Sequence, residues 1–382
     1  MSFIKHKKVE LTELFYDLVY VYTISQLTSI IHHAHHGVVS PQSFFNFSVG
    51  LIVFVNSWMV QTVFTNRFGN NSMKNIIFMF LQMICLLVSS RAVAGDWQTN
   101  FVWIFLPMAL ISLLLLMQYI LEYFQISDAA YKSLIRQFFY ILGIRSLLLF
   151  LSLIFPYEVG MWIAFVGIVS TWLLPGLLID PNRGFVSADL SPVNFPHLME
   201  RLSLLVIITF GESLIGISDH FSSEKFSWQS FAIFMTVTNL FMIYIVEVDH
   251  LIDVERKETG IRAIYSHYPI LFGLSLITIA LSFFGNSEMN SFYTVLYFYG
   301  GLLLFIIGLL QHNQYNKTGL KLSKHNVIIL YLLPICGLVI SLVVSTWTME
   351  VLTVGVTIIT TLMMLLVVRF NIKHSLDNKT ES

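Results

Sequence analysis

Residues 10–31 have the sequence ELTELFYDLVYVYTISQLTSII, which is long and apolar enough to cross a bilayer but begins with three acids. At about 100° per residue, steps of three and four place Glu10, Glu13 and Asp17 on one face of a helix, and Thr28 falls on the same side. An unpaired charge in hydrocarbon costs about 3 kcal/mol or more. The acidic face must therefore contact protein or water, which marks this helix as a functional candidate.

The composition is that of a membrane protein. The chain is 56% hydrophobic and only 11% charged, whereas about 25% of the residues in soluble domains are charged. Its formal net charge of −1 provides no basic surface for nucleic acid. Cys85 and Cys336 lie in apolar runs without a metal or redox spacing, which indicates buried thiols. We predict an all-α, polytopic bundle whose partner is the lipid bilayer and which carries no cofactor.

Apolar windows predict about twelve spans along the chain. They cover residues 11–31, 43–64, 76–94, 101–123, 135–155, 159–179, 198–218, 228–248, 267–284, 292–310, 326–346 and 350–369. With a cytosolic N-terminus, the cytosolic segments hold 17 of the 21 basic residues. This alternation satisfies the positive-inside rule, so we predict a multi-pass protein of the cell membrane with both termini cytosolic.

A proline-rich break at 180–197 separates the first six predicted spans from the last six. We therefore expect a cytosolic N-terminus at 1–10, a six-helix half at 11–179, a linker at 180–197, a second half at 198–369 and a cytosolic tail at 370–382. Residues 200–214 align with residues 13–27, and Glu200 then matches Glu13. This weak similarity favours a parallel 6+6 repeat.

Three motifs resemble the bacterial low temperature requirement A family of membrane proteins. They are ELFYDLVYVYTISQL at 13–27, ERLSLLVIITFGESL at 200–214 and SHYPILFG at 266–273. The resemblance implies a multi-pass membrane protein associated with growth in the cold, and it supplies no substrate. The chain departs from the family pattern at 65–75, where TNRFGNNSMKN replaces an expected charged loop.

Buried ionisable side chains are the candidates for an ion pathway. Asp17 is either a cation or proton site or half of a structural ion pair. Glu212 lies about two-thirds across span seven, next to Gly211, which marks either a helix break or a close helix contact. By depth, Arg145 is the candidate partner of Asp17, and Arg91 and Arg145 are the candidate partners of Glu212, while the pairing itself is left open. Such pairing argues against a simple cation site. It favours either an anion site on the arginines or a conformational latch that is released by a proton.

A second group of ionisable residues is predicted near the cytosolic face. Its members are Glu10, Glu13, Glu122, Glu200, Arg201, Glu247, Asp249, His250, Asp253 and His267. They form either a vestibule that concentrates cations or ordinary interfacial charges. His267 is a site candidate because of its motif. On the outer side, His32, His33, His35 and His36 have the spacing of a weak metal site.

The leading functional prediction is a secondary transporter of an unidentified solute, coupled to protons or another cation. Ionisable residues in spans one, three, five and seven support it, whereas nucleotide-binding and hydrolase motifs do not occur in the sequence. One alternative is an ion channel, because FYD at 15–17 resembles the Phe-Ser-Asp motif of lysosomal potassium channels built from two six-span repeats. Another is a membrane-embedded enzyme acting on lipid or envelope precursors. We expect the chain not to be an enzyme.

Overall fold

The computed structural model describes residues 7–32, 37–178, 193–284, 289–343 and 348–380, and the regular secondary structure in these ranges is helical, with no strand. The first six helices are α1 (Leu11–His32), α2 (Pro41–Phe68), α3 (Met73–Val93), α4 (Phe101–Gln125), α5 (Ala129–Ser152) and α6 (Tyr157–Leu178). The next six are α7 (Phe195–Gly216), α8 (Trp228–Ile245), α9 (Ile261–Phe283), α10 (Ser291–Leu310), α11 (Lys324–Val343) and α12 (Met349–Thr380). Each predicted span coincides with one helix, so the prediction of an all-α polytopic bundle is confirmed.

Within the described ranges, eleven helices are long and apolar enough to cross a membrane. The twelfth long helix, α7, differs because every 18-residue stretch of it contains Glu200, Arg201 and Glu212. Many large apolar side chains on the other helices are exposed, for example Trp103 on α4 and Trp162 on α6. In a membrane protein these faces contact lipid, since hydrocarbon solvates them as well as a protein core does.

The chain divides into two compact units. Unit 1 consists of Met1–Ile30, Gln42–Arg201 and Lys257–Gly260, and unit 2 of Ile31–Pro41, Leu202–Arg256 and Ile261–Ser382. The boundary between them falls inside α7, after Arg201. Most of the predicted linker, residues 179–192, lies outside the described residues, and the 6+6 repeat stays a prediction.

In unit 1, aromatic side chains pack α2 against α4 and α5. Tyr119 stacks on Phe138 with ring centroids 4.6 Å apart, and the Phe64 ring meets Tyr119 edge-on at 4.9 Å. Aromatic pairs in these geometries contribute about 0.5–1.5 kcal/mol beyond their buried area. This packing fixes α2, which carries most of the polar side chains described below.

In unit 2, α9 and α10 pack closely through glycines. A Cβ atom added to Gly301 would lie 2.6 Å from the Gly273 carbonyl oxygen, and one added to Gly308 would lie 2.5 Å from the Ser266 carbonyl oxygen. Small residues allow such backbone approach between membrane helices. The α9 helix contains Pro269, which a membrane helix tolerates when neighbouring groups bind the freed carbonyl.

Candidate functional site

The centre of unit 1 contains a buried ion pair between Asp17 on α1 and Arg201 on α7. Arg201 Nη2 lies 2.5 Å from Asp17 Oδ1, and neither side chain is exposed. The Trp58 indole N–H donates to the same carboxylate oxygen at 2.7 Å, and its ring lies 5.1 Å from the guanidinium carbon. Arg201 Nη1 donates to Thr65 Oγ1 at 2.7 Å. Asp17 Oδ2 is buried and has no hydrogen-bond partner among the described residues.

Glu13, one helical turn before Asp17, extends the network to His197. The carboxylate oxygen Oε2 lies 2.9 Å from His197 Nε2 and 3.7 Å from Arg201 Nε. Because Asn66 Oδ1 accepts from the backbone N–H of Asn194 at 3.0 Å, its Nδ2 group must face His197 Nδ1, at 3.1 Å. His197 Nδ1 therefore accepts and Nε2–H donates to Glu13, which is the neutral tautomer.

Lys7 completes the charge balance of the network. Its ammonium group donates to the backbone oxygens of Thr65 and, at 2.7 Å, Gly69, and it lies 4.0 Å from Glu13 Oε1. Burial lowers the pKa of Lys7 below its usual value, while the nearby Glu13 carboxylate opposes that shift. With neutral His197, two carboxylates, one guanidinium and one ammonium leave the network without net charge. Removing any one of them leaves a buried excess charge.

Polar side chains continue from this network along the buried face of α2. The buried polar residues of α2 in this stretch are Asn56, Ser57, Gln61, Thr62, Thr65 and Asn66. They span eleven residues, from Asn56 to Asn66, or about 15 Å of helix. Gln82 Nε2 donates to Gln61 Oε1 at 3.2 Å and to Gln118 Oε1 at 3.0 Å, and Tyr16 donates to Gln82 Oε1 at 2.7 Å. Unit 1 therefore has a continuous polar interior beside Asp17.

The predicted pairing of Asp17 with Arg145 is wrong. Arg145 is buried on α5, but its guanidinium donates to Asn56 Oδ1 at 2.7 Å and to the Ser57 hydroxyl. Thr171 on α6 shares Asn56 Oδ1 at 2.6 Å. Asp17 instead pairs with Arg201, which was predicted to belong to the group near the cytosolic face.

Other sequence candidates lie away from the network. Arg91 is exposed in the last turn of α3, where a cation complements the helix dipole, and Glu200 is exposed although its neighbour Arg201 is buried. In the inner-face group, Glu122 pairs with Lys74 at 2.9 Å. The vestibule hypothesis is not supported for this carboxylate, because Lys74 already balances its charge.

Glu212 lies in unit 2 and is 8% exposed. Its pairing with Arg91 or Arg145 stays a prediction. Neither interpretation of the adjacent Gly211 is correct. The α7 helix is continuous from Phe195 to Gly216, and a Cβ atom at Gly211 would meet nothing within 4 Å.

His267 is buried within α9 and does not lie at the end of the helix, which begins six residues earlier than predicted. Its Nδ1 lies 2.6 Å from the Ala263 carbonyl oxygen and its Nε2 lies 3.1 Å from the Tyr244 hydroxyl. His33, His35 and His36 fall outside the described residues, as does the side chain of His32. Within the described ranges, no three His, Cys, Asp or Glu side chains form a metal-binding group.

Sequence reasoning missed His197 and the polar residues of α2. His197 was assigned to the linker, although it precedes Arg201 by four residues and therefore shares its helix face. Gln61 and Thr65 show the same spacing, although the predicted span ended at residue 64 and so placed Thr65 in the following loop. Polar residues four apart in a membrane helix were the available signal.

Comparison with known proteins agrees with the three motifs. The family model described as bacterial low temperature requirement A protein matches residues 8–368, nearly the whole chain. No curated protein matches the sequence. The matched range includes both acids of α1, the arginine of α7 and the buried histidine of α9. The chain is therefore a multi-pass membrane protein that belongs to the bacterial low temperature requirement A family.

Proposed function

We propose that the chain is a secondary transporter of a small solute, not an enzyme, and that it is driven by protons. The observation that carries the proposal is the buried network of Glu13, Asp17, His197 and Arg201 in unit 1. Ionisable groups are costly inside membranes, and in transporters they form proton relays and ion sites. A structural role alone would be met more cheaply by apolar packing.

Asp17 is the proposed proton acceptor. Its Oδ1 receives hydrogen bonds from Arg201 and Trp58, whereas Oδ2 has no partner among the residues described. Both neighbours of Oδ1 are N–H donors and cannot ligate a metal cation, while a proton needs only the lone pair on Oδ2. A proton is therefore favoured over another cation as the coupling ion.

Protonation of Asp17 would remove the charge that holds Arg201. The guanidinium would keep Glu13, at 3.7 Å from Nε, as its only acidic partner in the network. A shift of Arg201 from Asp17 towards Glu13 supplies two discrete arrangements of the same side chains. Such a bistable element is what a proton-driven conformational change requires.

The polar interior of unit 1 supports a path to Asp17. Tyr16, Gln82, Gln61 and Gln118 form a buried hydrogen-bonded chain. Buried amides and hydroxyls in a membrane protein face other protein groups or water.

The alternation of basic loops further supports a cell-membrane location with both termini in the cytosol.

The test is proton flux into liposomes that contain the purified protein and an internal pH-sensitive dye. An inward proton gradient is imposed, and protein-free liposomes provide the leak rate. A transporter predicts flux above the leak that saturates as the gradient rises and increases when a transported solute is added. Flux that grows in proportion to the gradient, without saturation, would indicate a channel instead.

If no flux is seen, a collection of solutes would be screened for binding. The measure of binding is an increase in the melting temperature of the purified protein. A stabilising solute that restores flux would support obligatory coupling. If no solute stabilises the protein and no flux is seen with correctly inserted protein, the transporter proposal fails. An altered lipid under those conditions would favour the membrane-embedded enzyme.

A further inference from the structure

Unit 2 contains a second buried polar cluster, separate from the unit 1 network in sequence. It is built by the end of α8 and the π-helical turn that continues it, the first half of α9, the 3₁₀ turn Gln311–Tyr315 that follows α10, and the next residue, Asn316. Its members, each 2% exposed or less, are Tyr244, Glu247, Ser266, His267, His312 and Asn316. All of them except Asn316 lie in stretches with the length and apolarity of membrane spans.

The backbone around Glu247 is held in an unusual form. The α8 helix ends in a π-helical turn, Val246–Leu251, in which the Ile252 N–H donates to the Glu247 carbonyl oxygen at 3.1 Å. Ile252 forms a β-bridge with Asn316, and the Lys317 N–H donates to the Leu251 carbonyl oxygen at 2.8 Å. π-Helical turns are rare and are frequent at functional sites. Here the turn fixes Glu247 against the segment after α10.

The two histidines of the cluster carry no positive charge. His267 donates from Nδ1 to the Ala263 carbonyl oxygen at 2.6 Å, so its Nε2 accepts from the Tyr244 hydroxyl. Ser266 donates to the same carbonyl oxygen at 2.7 Å and therefore accepts from His312 Nε2–H at 2.8 Å. His312 Nδ1 is then a hydrogen-bond acceptor that has no donor among the described residues. The hydrogen bonds fix both rings as neutral tautomers.

Glu247 has no counter-charge among the described residues. Its carboxyl group is hydrogen-bonded by the Asn316 side chain, and its Oε1 atom has no partner. The titratable or charged side chains described on the elements that build the cluster, on the residue after it and on α12 are Tyr244, Asp249, His250, Arg262, Tyr265, His267, Tyr268, His312, Tyr315, Lys317, Glu350, Arg369 and Lys373. In the described chain none of them forms an ion pair with Glu247. Lys317 instead donates to the His250 carbonyl oxygen at 3.0 Å.

Three acceptors of the cluster are therefore left without a donor, and none of its described side chains carries a positive charge. Glu247 Oε1, His312 Nδ1 and Asn316 Oδ1 are buried acceptors without donors from the residues described. An ionised carboxylate in this setting would be an uncompensated charge, in contrast to Glu13 and its cationic neighbours. A proton on the carboxyl group removes that charge and supplies a donor in a single step.

We propose that Glu247 is a neutral carboxylic acid and that, with the Asn316 side chain beside it, it forms a proton-binding site in unit 2. The proton comes from bulk water and adds to a carboxylate oxygen, and its release restores the carboxylate. Only the role of this site in coupling rests on the proposed transport function. The protonation itself is a property of the resting protein and is tested without transport.

The test is infrared spectroscopy of the purified protein in light and heavy water. A protonated carboxyl group has a carbonyl stretch, well separated from carboxylate bands, that shifts in heavy water. We expect such a band in the wild type at neutral pH and its loss in Glu247→Gln. Glu122→Gln is the matched control, because Glu122 is also buried but pairs with Lys74. It should leave the band intact.

Labelling glutamate with carbon-13 at the side-chain carboxyl keeps the test valid if Glu247→Gln does not fold. The expected band must then shift with the label in the wild-type protein. A wild type without a glutamate carbonyl band would overturn the proposal. So would carboxylate bands that respond to sodium and vanish in Glu247→Gln, because a metal cation would then balance Glu247. Persistence of the band in Glu247→Gln would overturn it as well.

Discussion

Replacing Arg201 by glutamine should destabilise unit 1 more than replacing Asp17 by asparagine does. Arg201→Gln leaves Glu13 and Asp17 buried with only Lys7, whose side chain is 23% exposed, as a cationic neighbour. Asp17→Asn instead leaves Arg201 next to Glu13. The two substitutions therefore leave excess charges of opposite sign, and the excess negative charge is the more completely buried one.

The expected magnitudes follow from the burial of the pair. Removing one partner of a buried ion pair costs about 3–5 kcal/mol, because the remaining charge is uncompensated. We expect that cost for Arg201→Gln, and a lower one, about 1–3 kcal/mol, for Asp17→Asn, where Arg201 keeps Glu13 and Thr65. The double variant should be more stable than Arg201→Gln alone, with a coupling energy of about 1 kcal/mol or more.

The assay is a double-mutant cycle of unfolding free energies for the purified protein in mild detergent. Arg262→Gln is the control for loss of an arginine, because Arg262 is exposed at the start of α9. If the effects of Arg201→Gln and Asp17→Asn add within about 0.5 kcal/mol, the pair is not coupled. The described charge balance would then be refuted.

Three further predictions concern packing, pH and topology. Gly301→Ala should lower the free energy of unfolding by about 1–3 kcal/mol, because its Cβ would lie 2.6 Å from the Gly273 carbonyl oxygen. Gly300→Ala is the control and should not lower it, because a Cβ atom at Gly300 would lie in open space. Burial lowers the pKa of His220. Its stabilising contribution is therefore present above about pH 6.5 and is lost on acidification. In His220→Gln, the melting temperature should fall less on acidification than it does in the wild type. A cysteine introduced at position 225, in a predicted outside loop, should react with an impermeant thiol reagent on intact cells. A cysteine introduced after α12, in the predicted cytosolic tail, should react only after lysis.

The number and type of elements could be predicted because bilayer thickness requires apolar runs of about 20 residues. Helix ends were less accurate where prolines lie. Residue 198 was predicted to start span seven, but the helix begins at Phe195, because proline in the first turn, here Pro196, is compatible with a helix. That shift places His197 in the helix with Arg201, and sequence reasoning therefore missed it.

The charge partners could not be predicted from depth alone. Asp17 was correctly recognised as a buried acid, but its partner depends on how α1, α2 and α7 rotate and pack. Arg145 lies on α5 and finds amide and hydroxyl acceptors on α2 instead. Glu200 and Arg201 are adjacent in the sequence yet point to different faces, and composition does not indicate which of the two is buried.

The most direct test of the account is the proton flux of Asp17→Asn relative to the wild type in liposomes with equal amounts of correctly inserted protein. Asp96→Asn is the matched control, because Asp96 lies exposed in the loop before α4. We predict that wild-type and Asp96→Asn flux are equal and that flux in Asp17→Asn falls to the leak of protein-free liposomes. Wild-type flux in a folded Asp17→Asn protein would contradict it.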